Sequence, residues 1–424
     1  MKNVISINAW GKEIFLLALI ENKLVVELLN KRDNVFSPIR FEHDRFAELV
    51  LQGASVNIDE IGIISDCISG SYGKEYFNNY FMNSQGKIPT ILDRLSFIGS
   101  NGLGALEFLP SDTSSNLTSS DLTFSLLEFK TQSLDIYNNI DVTNLELAKL
   151  FAKSNSGAGG AKAKAIVDYN PDSKMLHLSQ GFENTPKGYK KSIIKFNGKK
   201  GAEAEVYNDE LKLEYLYYLL ALKCGVHMSN CYLECDEMGN CYFITERFDV
   251  DSKGQKLHLH SLAGLLGHNA ESFTMDYGML FRVGNALSVS KNDKEQMFKT
   301  MVFNLVFSNK DDHSRNFSFL MDNDYNWFYS PSYDLTYSGS NYAKNWHQLT
   351  IDNKPSNKIR SLGMINIAKI CEIDNPLEII DDFIDIKYQY LRELSIEYGI
   401  DTKMVDMIFK DTKEIDNMFY KGAR

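Results

Sequence analysis

Four side chains stand out by type and order along the chain: Lys195, Asp311, Asn316 and Asp334. Asp311 and Asn316 lie five residues apart in Asn309-Lys310-Asp311-Asp312-His313-Ser314-Arg315-Asn316-Phe317-Ser318, directly after the apolar run Phe303 to Phe307. Phosphoryl transfer asks for this set. An aspartate takes the proton of an attacking hydroxyl, an amide oxygen and a second carboxylate hold magnesium against the phosphates, and a lysine neutralises them. The spacing assigns Asp311 as the base, Asn316 and Asp334 as magnesium ligands, and Lys195, in Ser192-Ile193-Ile194-Lys195-Phe196, as the phosphate partner. His313 joins Asp311 as a catalytic candidate, more as an orienter of the loop through hydrogen bonds than as a proton carrier. Singly, each is an ordinary loop cap or strand-edge lysine. Their combination in this chain order is what points to chemistry.

These residues need elements to hold them. Upstream of Lys195 runs Ser154-Asn155-Ser156-Gly157-Ala158-Gly159-Gly160-Ala161-Lys162-Ala163-Lys164, which leads into the strand Ala165-Ile166-Val167. It is not a Walker A motif, but Gly159 and Gly160 let backbone N–H groups approach phosphate, and Lys162 or Lys164 adds charge. A helix is predicted over Asp209 to Cys224, placing Glu214 where it can pair with Lys195, and a hairpin over Cys231 to Phe248 turns at Asp236 to Asn240. A second hairpin, Phe317 to Leu320 with Trp327 to Tyr329, carries the chain from Asn316 to Asp334. Amphipathic helices are expected at Lys294 to Phe307, Pro376 to Tyr398 and Lys403 to Asp416.

Before these lies an α+β unit with strands at Ile14 to Ile20 and Leu24 to Leu29, ending in Ile98-Gly99-Ser100-Asn101-Gly102-Leu103-Gly104-Ala105-Leu106. The Ser/Thr-rich stretch Pro110 to Ser125 reads as a surface loop. The resulting division is 1–115, 116–250 and 251–424, within the 424 residues. A formal charge of −11 opposes broad contact with nucleic-acid phosphates, although the basic stretch Lys187 to Lys200 could face a polyanion or a nucleotide. The longest apolar runs are too short for a bilayer and no cleavable leader is evident, so a cytoplasmic protein with no membrane contact is expected. The six cysteines show no framework and read as reduced thiols; Cys224, His227, Cys231, Cys235 and Cys241 cluster without a Cys-x-x-Cys pair, so zinc is not expected.

Taken together, Gly159-Gly160-Ala161 with Lys164, Ile193-Ile194-Lys195-Phe196, Glu246-Arg247-Phe248-Asp249, Asn309-x-Asp311-x-His313-x-x-Asn316-Phe317-Ser318 and Tyr333-Asp334-Leu335 resemble the HipA family of bacterial serine/threonine kinases, the toxins of HipBA toxin–antitoxin modules. The resemblance implies a small N-terminal α+β subdomain followed by a bilobal kinase-like core with a mostly α-helical C-lobe. It implies ATP and Mg2+ as cofactors, with Lys195, Gly159, Gly160 and Lys164 at the phosphates, Glu246 to Phe248 as the adenine-facing hinge and Asp249 reaching the ribose. It further implies inhibitory autophosphorylation at the Gly-rich loop, with Ser156 the candidate and Ser154 its competitor. The implied partners are a HipB-like helix-turn-helix antitoxin, through which alone DNA is met, and a protein substrate such as an aminoacyl-tRNA synthetase. Arg315 departs from the family's usual lysine, a change expected to bear on substrate preference. A non-catalytic nucleotide-binding partner of an antitoxin and a small-molecule phosphotransferase remain the alternatives.

Overall fold

Alternation of apolar and polar residues sets the first element of the computed structural model, which describes residues 4–20, 23–29, 35–41, 61–111, 120–138, 144–160, 162–179, 182, 184–198, 202–268, 275–338, 347–352, 354 and 361–419. In β1 (Val4–Ala9) Ile5, Ile7 and Ala9 point inward, as a strand with one wet face requires. It pairs with β2 (Lys12–Ile20) across a turn at Trp10-Gly11, where both residues take positive φ, the geometry a two-residue hairpin prefers. Strand β3 (Lys23–Leu28) and, later, β4 (Leu106–Leu109) complete a sheet of order β3-β2-β1-β4. Helices α1 (Pro38–Phe41), α2 (Gly62–Ser65), α3 (Ser71–Gln85) and α4 (Ile91–Ile98) lie between β3 and β4. The core of this unit includes Met321 from the distant second hairpin, so its apolar interior is shared with the rest of the chain.

A second sheet, of order β5-β7-β6-β8-β10-β9, forms the small lobe. Its strands are β5 (Thr123–Phe124), β6 (Lys164–Asn170), β7 (Met175–His177), β8 (Lys190–Phe196), β9 (Cys231–Cys235) and β10 (Cys241–Glu246). Helices α5 (Leu126–Tyr137) and α6 (Leu145–Asn155) precede β6, and α7 (Ala202–Lys223) follows β8. One face of the sheet, with Ala165, Val167, Ile194, Phe196 and Ile244, packs into apolar core. Period-2 alternation therefore turns Lys164, Ile166, Ile193 and Lys195 to the other face.

The third part is mostly helical: β11 (His258–Ser261), α8 (Leu262–Leu266), α9 (Tyr277–Ala286), α10 (Lys291–Val306), β12 (Ser318–Met321), β13 (Trp327–Tyr329), α11 (Ser361–Ile370), α12 (Pro376–Glu397) and α13 (Thr402–Phe419). The large core is built on α10, from which Met297, Phe298, Met301, Val302, Phe303 and Val306 are all buried. Beneath the end of α10, Lys387 of α12 donates to the Val306 carbonyl and to Asp416, capping the helix that leads into the polar segment Asn309 to Asn316.

The α+β, kinase-like architecture agrees with the expectation, and three details do not. Ser120 to Ser125 are not loop: Leu122 is buried, Thr123–Phe124 is a strand and Ser125 caps α5 with Glu128 in a capping box. Residues 112–119 of that stretch, including the 115/116 boundary, lie outside the described residues, as do Ala161 and residues 199–200. Helix α5 has no counterpart in the sequence reading. Cys235 and Cys241 are joined as a disulfide, against the expectation of reduced thiols, because β9–β10 register sets them directly opposite one another. Cys67, Cys224, Cys231 and Cys371 are buried free thiols, and among the described residues no three His, Cys, Asp or Glu side chains converge as a metal cage.

Candidate active site

Antiparallel register sets Lys164 of β6 directly opposite Lys195 of β8, on the face turned away from the sheet's core. Like charges in that position repel, so the pair requires an anion. In the structure that anion is Asp334, to which Lys195 donates while also donating to Glu214 of α7. Burial alone would raise the Asp334 pKa, yet Lys195 and Lys164 hold it well below the usual carboxylate range. Its side chain is 37% exposed at the cleft mouth. Asp334 sits at φ 52°, a left-handed conformation that costs little for aspartate and turns the carboxylate back toward the small lobe. Lys195 is pushed upward: burial opposes its charge, but the two carboxylates prevail. Lys164, which has no direct carboxylate partner among the described residues, is lowered by burial.

Gly160 is required here. A Cβ at this position, where φ is 95°, would come within 2.5 Å of the Lys164 Nζ. Gly159 has open space around it, and Lys162 points outward to Glu210 at 2.7 Å. Ser154 and Ser156 are buried at the end of α6, their hydroxyls donating to the Ile166 and Lys153 carbonyls at 2.6 and 3.3 Å.

Across the cleft, α10 ends and the chain enters the polar loop. Asp311 accepts from Gln348 Nε2 at 2.8 Å, and burial, with Asp334 and Asp312 nearby, raises its pKa against the opposing pull of His313. A carboxylate raised in this way is a better proton acceptor than a solvated one. Asn316 donates from Nδ2 to the Asp311 carbonyl at 2.8 Å, which fixes the amide with Oδ1 as its other end. Behind them Asp312, fully buried, accepts from the Tyr277 hydroxyl (2.7 Å) and the Gln348 backbone N–H (2.7 Å) and lies 2.9 Å from His347 Nδ1. Asn304 and Asn309 extend this network to Ser338. The loop is thus oriented by Asp312. His313 does not orient it as expected, since its buried Nδ1 has no hydrogen-bond partner among the described residues.

Phe248 follows β10 and lies 5.4 Å from the ring of Tyr333, forming a half-buried aromatic pair beside Asp334. The Tyr333 hydroxyl donates to the Arg315 carbonyl at 2.6 Å. Glu246 turns its carboxylate away, to Tyr232 and Asn230, so only its backbone belongs to the cleft. Asp249 does not join the set: it is 2% exposed, paired with Arg247 through two hydrogen bonds and accepting from Gly104 N of the N-terminal unit, so its carboxylate is buried and engaged and does not reach toward a ribose. The Arg315 guanidinium is directed to Ser65, to whose hydroxyl it donates at 2.6 Å. Asp312, Gln348, Tyr333 and Ser65 were given no role by sequence reasoning; Asp312 and Tyr333 stand inside quoted motifs, whereas Gln348 and Ser65 had no local signal.

A family model described as the HipA-like C-terminal domain matches residues 156–412. The chain belongs to the HipA family. The HipA of Shewanella oneidensis MR-1, solved with HipB and its operator DNA, aligns with 99% of this HipA-family chain and 97% of its own length, at 16% identity and a TM-score of 0.64, a likeness of fold. The Helicobacter pylori proinflammatory kinase CtkA covers 62% of this chain and 95% of its own, at 14% identity and a TM-score of 0.35. No curated protein matches the chain. No helix among the described residues is long and apolar enough to cross a membrane.

Proposed function

We propose that this HipA-family chain is an ATP- and magnesium-dependent protein serine/threonine kinase, the toxin of a HipBA-type module. The cross-strand pair Lys164 and Lys195, aimed at a single carboxylate in the cleft, carries the reading. Two ammonium groups held opposite one another mark a place for phosphate, and Asp334 would compete with phosphate for them. The parts would be an N-terminal unit (1–115), a small lobe (116–250) and a helical large lobe (251–424).

The residues divide the work. Lys195, held by Glu214, and Lys164, under Gly159 and Gly160, bind the phosphates; Phe248 and Tyr333 sandwich or floor the base, with the Glu246 to Phe248 backbone as hinge. The all-oxygen pair of Asn316 Oδ1 and ionised Asp334 suits magnesium, which takes one or two protein carboxylates and completes its shell with phosphate and water. Bound there, magnesium would neutralise charge on the transferring phosphoryl group. Asp311, raised by burial and oriented by Gln348, accepts the hydroxyl proton of a serine or threonine. His313 stands beside it and favours its ionised form.

Further parts of the reading follow the family. A helix-turn-helix antitoxin would neutralise the enzyme and supply the DNA contact, as the HipB complex of the Shewanella protein suggests. A translation component, such as an aminoacyl-tRNA synthetase in the cytoplasm, would be the substrate. Autophosphorylation at Ser156 or Ser154 would require the end of α6 to unwind, since both hydroxyls are buried. Intact-mass spectrometry after incubation with magnesium and ATP, on wild type and Asp311→Ala, tests the reading. Added phosphate on the wild type alone is expected; none on a wild-type chain that still binds ATP moves the weight to sequestration or to a small-molecule acceptor.

A further inference from the structure

Among the described residues, the Arg315 side chain ties the loop of Asp311 and Asn316 to the N-terminal unit. Arg315 Nη2 donates to Ser65 Oγ at 2.6 Å and Nη1 to the Ser65 carbonyl at 3.3 Å, while Nη1 lies 3.7 Å from Asp66 Oδ1. Asp66 is itself fixed. Its side chain is 4% exposed, accepts from Ser261 N (2.7 Å) and Ser261 Oγ (2.6 Å), and lies 2.6 Å from His260 Nδ1. Backbones come into contact at this point: a Cβ on Gly62 would fall 1.8 Å from the Gly264 carbonyl oxygen, and one on Gly264 would fall 2.1 Å from Asp66 Oδ2. From Ser261 the chain is tied to the loop again, because Leu262 N donates to the Phe317 carbonyl at 2.8 Å.

Arg315 therefore stands between two anchors. Its side chain is held by α2, and its carbonyl accepts from the hydroxyl of Tyr333, the neighbour of Asp334. Its own next residue is Asn316. We propose that Arg315, held by Ser65 and Asp66 of the N-terminal unit, is a positioning residue that sets Asn316 and Asp334 at the separation a shared magnesium ion needs. Arginine suits the task where lysine would not, since its planar fork reaches the Ser65 hydroxyl and carbonyl together. The N-terminal unit is on this account part of the metal site's supporting shell, and a variant there acts on magnesium before it acts on nucleotide.

This inference rests on the phosphoryl-transfer reading, and calorimetry separates the two. Binding of a non-hydrolysable ATP analogue is measured on the full chain at graded magnesium for wild type, Arg315→Ala, Arg315→Lys and Asp66→Asn, with melting temperatures alongside. Supporting-shell changes typically cost 10- to 100-fold in metal affinity. The magnesium concentration for half-maximal enhancement should rise about tenfold in Arg315→Ala, with metal-free nucleotide affinity unchanged and Arg315→Lys intermediate. Asp66→Asn should shift the same way. Arg315→Ala matching wild type across the titration overturns the proposal and leaves the phosphoryl-transfer reading standing. A uniform loss of melting temperature and of both affinities overturns it too, since that is what a merely structural contact would give. A wild-type chain whose nucleotide binding ignores magnesium overturns both.

Discussion

Asp334 and Asp66 are both aspartates beside a cation, and both are held below the ordinary carboxylate range against the opposing effect of burial. They differ in what holds them. Asp334 is met by the ends of long side chains at the mouth of a cleft, Lys195 directly and Lys164 through its field. Asp66 is met by a backbone N–H, a short hydroxyl and a buried imidazole, with Arg315 at its rim. Flexible ammonium groups can exchange one anion for another at small cost, whereas a carboxylate wedged between backbones cannot move without opening the fold. A site that must pass between ligands needs the first kind of cluster, and the frame that holds it needs the second.

The comparison is sharpest when each aspartate is changed to its isostere. Asp334→Asn should lower phosphoryl transfer by on the order of 10²–10³-fold, measured as phosphate incorporation, with little change in melting temperature. Asparagine tolerates the left-handed backbone and Lys195 keeps Glu214. Asp66→Asn should instead be felt chiefly in the fold, costing about 2 kcal/mol of stability in urea unfolding, alongside its raised magnesium requirement. Equal losses of stability in the two variants would erase the distinction.

Acid should attack the frame first. His258, buried next to His260 with Nε2 2.9 Å from the Phe36 carbonyl, is lowered from its ordinary value to about 3, chiefly by burial. As pH falls below 6.5 the unfolded chain takes up this proton and the folded chain does not, so the stability present above 6.5 drains away down to about 3. The expected slope is at most about 1.4 kcal/mol per pH unit, and His258→Gln should flatten unfolding midpoints recorded between pH 6.5 and 5. An unchanged slope would show that His258 does not report on the frame.

The smallest effect concerns the contact between the two regions. A Cβ on Gly70, the residue before α3, would lie 2.1 Å from the Gly160 carbonyl oxygen, so the N-terminal unit bears on the Gly-rich loop as well as on Arg315. Gly70→Ala should weaken nucleotide binding by about fivefold, equivalent to an overpacking cost near 1 kcal/mol. Unaltered affinity would confine the N-terminal unit's influence to the catalytic loop.

What could be read from sequence follows the same division. Asp311, Asn316, Asp334 and Lys195 stand on segments whose chemistry is local, a spacing of five in one loop and an amine on an apolar strand, and β12, β13, α10 and α12 follow from periodicity. The partners that position them do not. Gln348 meets Asp311 from 37 residues away and Ser65 meets Arg315 from 250 away, and no local pattern encodes which distant hydroxyl or amide a side chain will find. Asp249 shows the same limit at short range: Arg247, two residues earlier, folds back to bind it. The Cys235–Cys241 pairing was within reach, because the predicted turn at Asp236 to Asn240 leaves the two cysteines opposite one another, but the lack of a regular cysteine framework pointed to reduced thiols.

The most direct test is the affinity of Asp334→Asn for an ATP analogue with and without magnesium, by calorimetry. If Asp334 stands in for phosphate in the nucleotide-free chain and turns to magnesium when nucleotide arrives, the variant should bind metal-free analogue at least as tightly as wild type. Lys195 and Lys164 would already be free of a competing anion. Magnesium should then add little. Weaker metal-free binding than wild type, together with a full magnesium enhancement, would contradict the account, because Asp334 would then be neither the phosphate's substitute nor the metal's ligand.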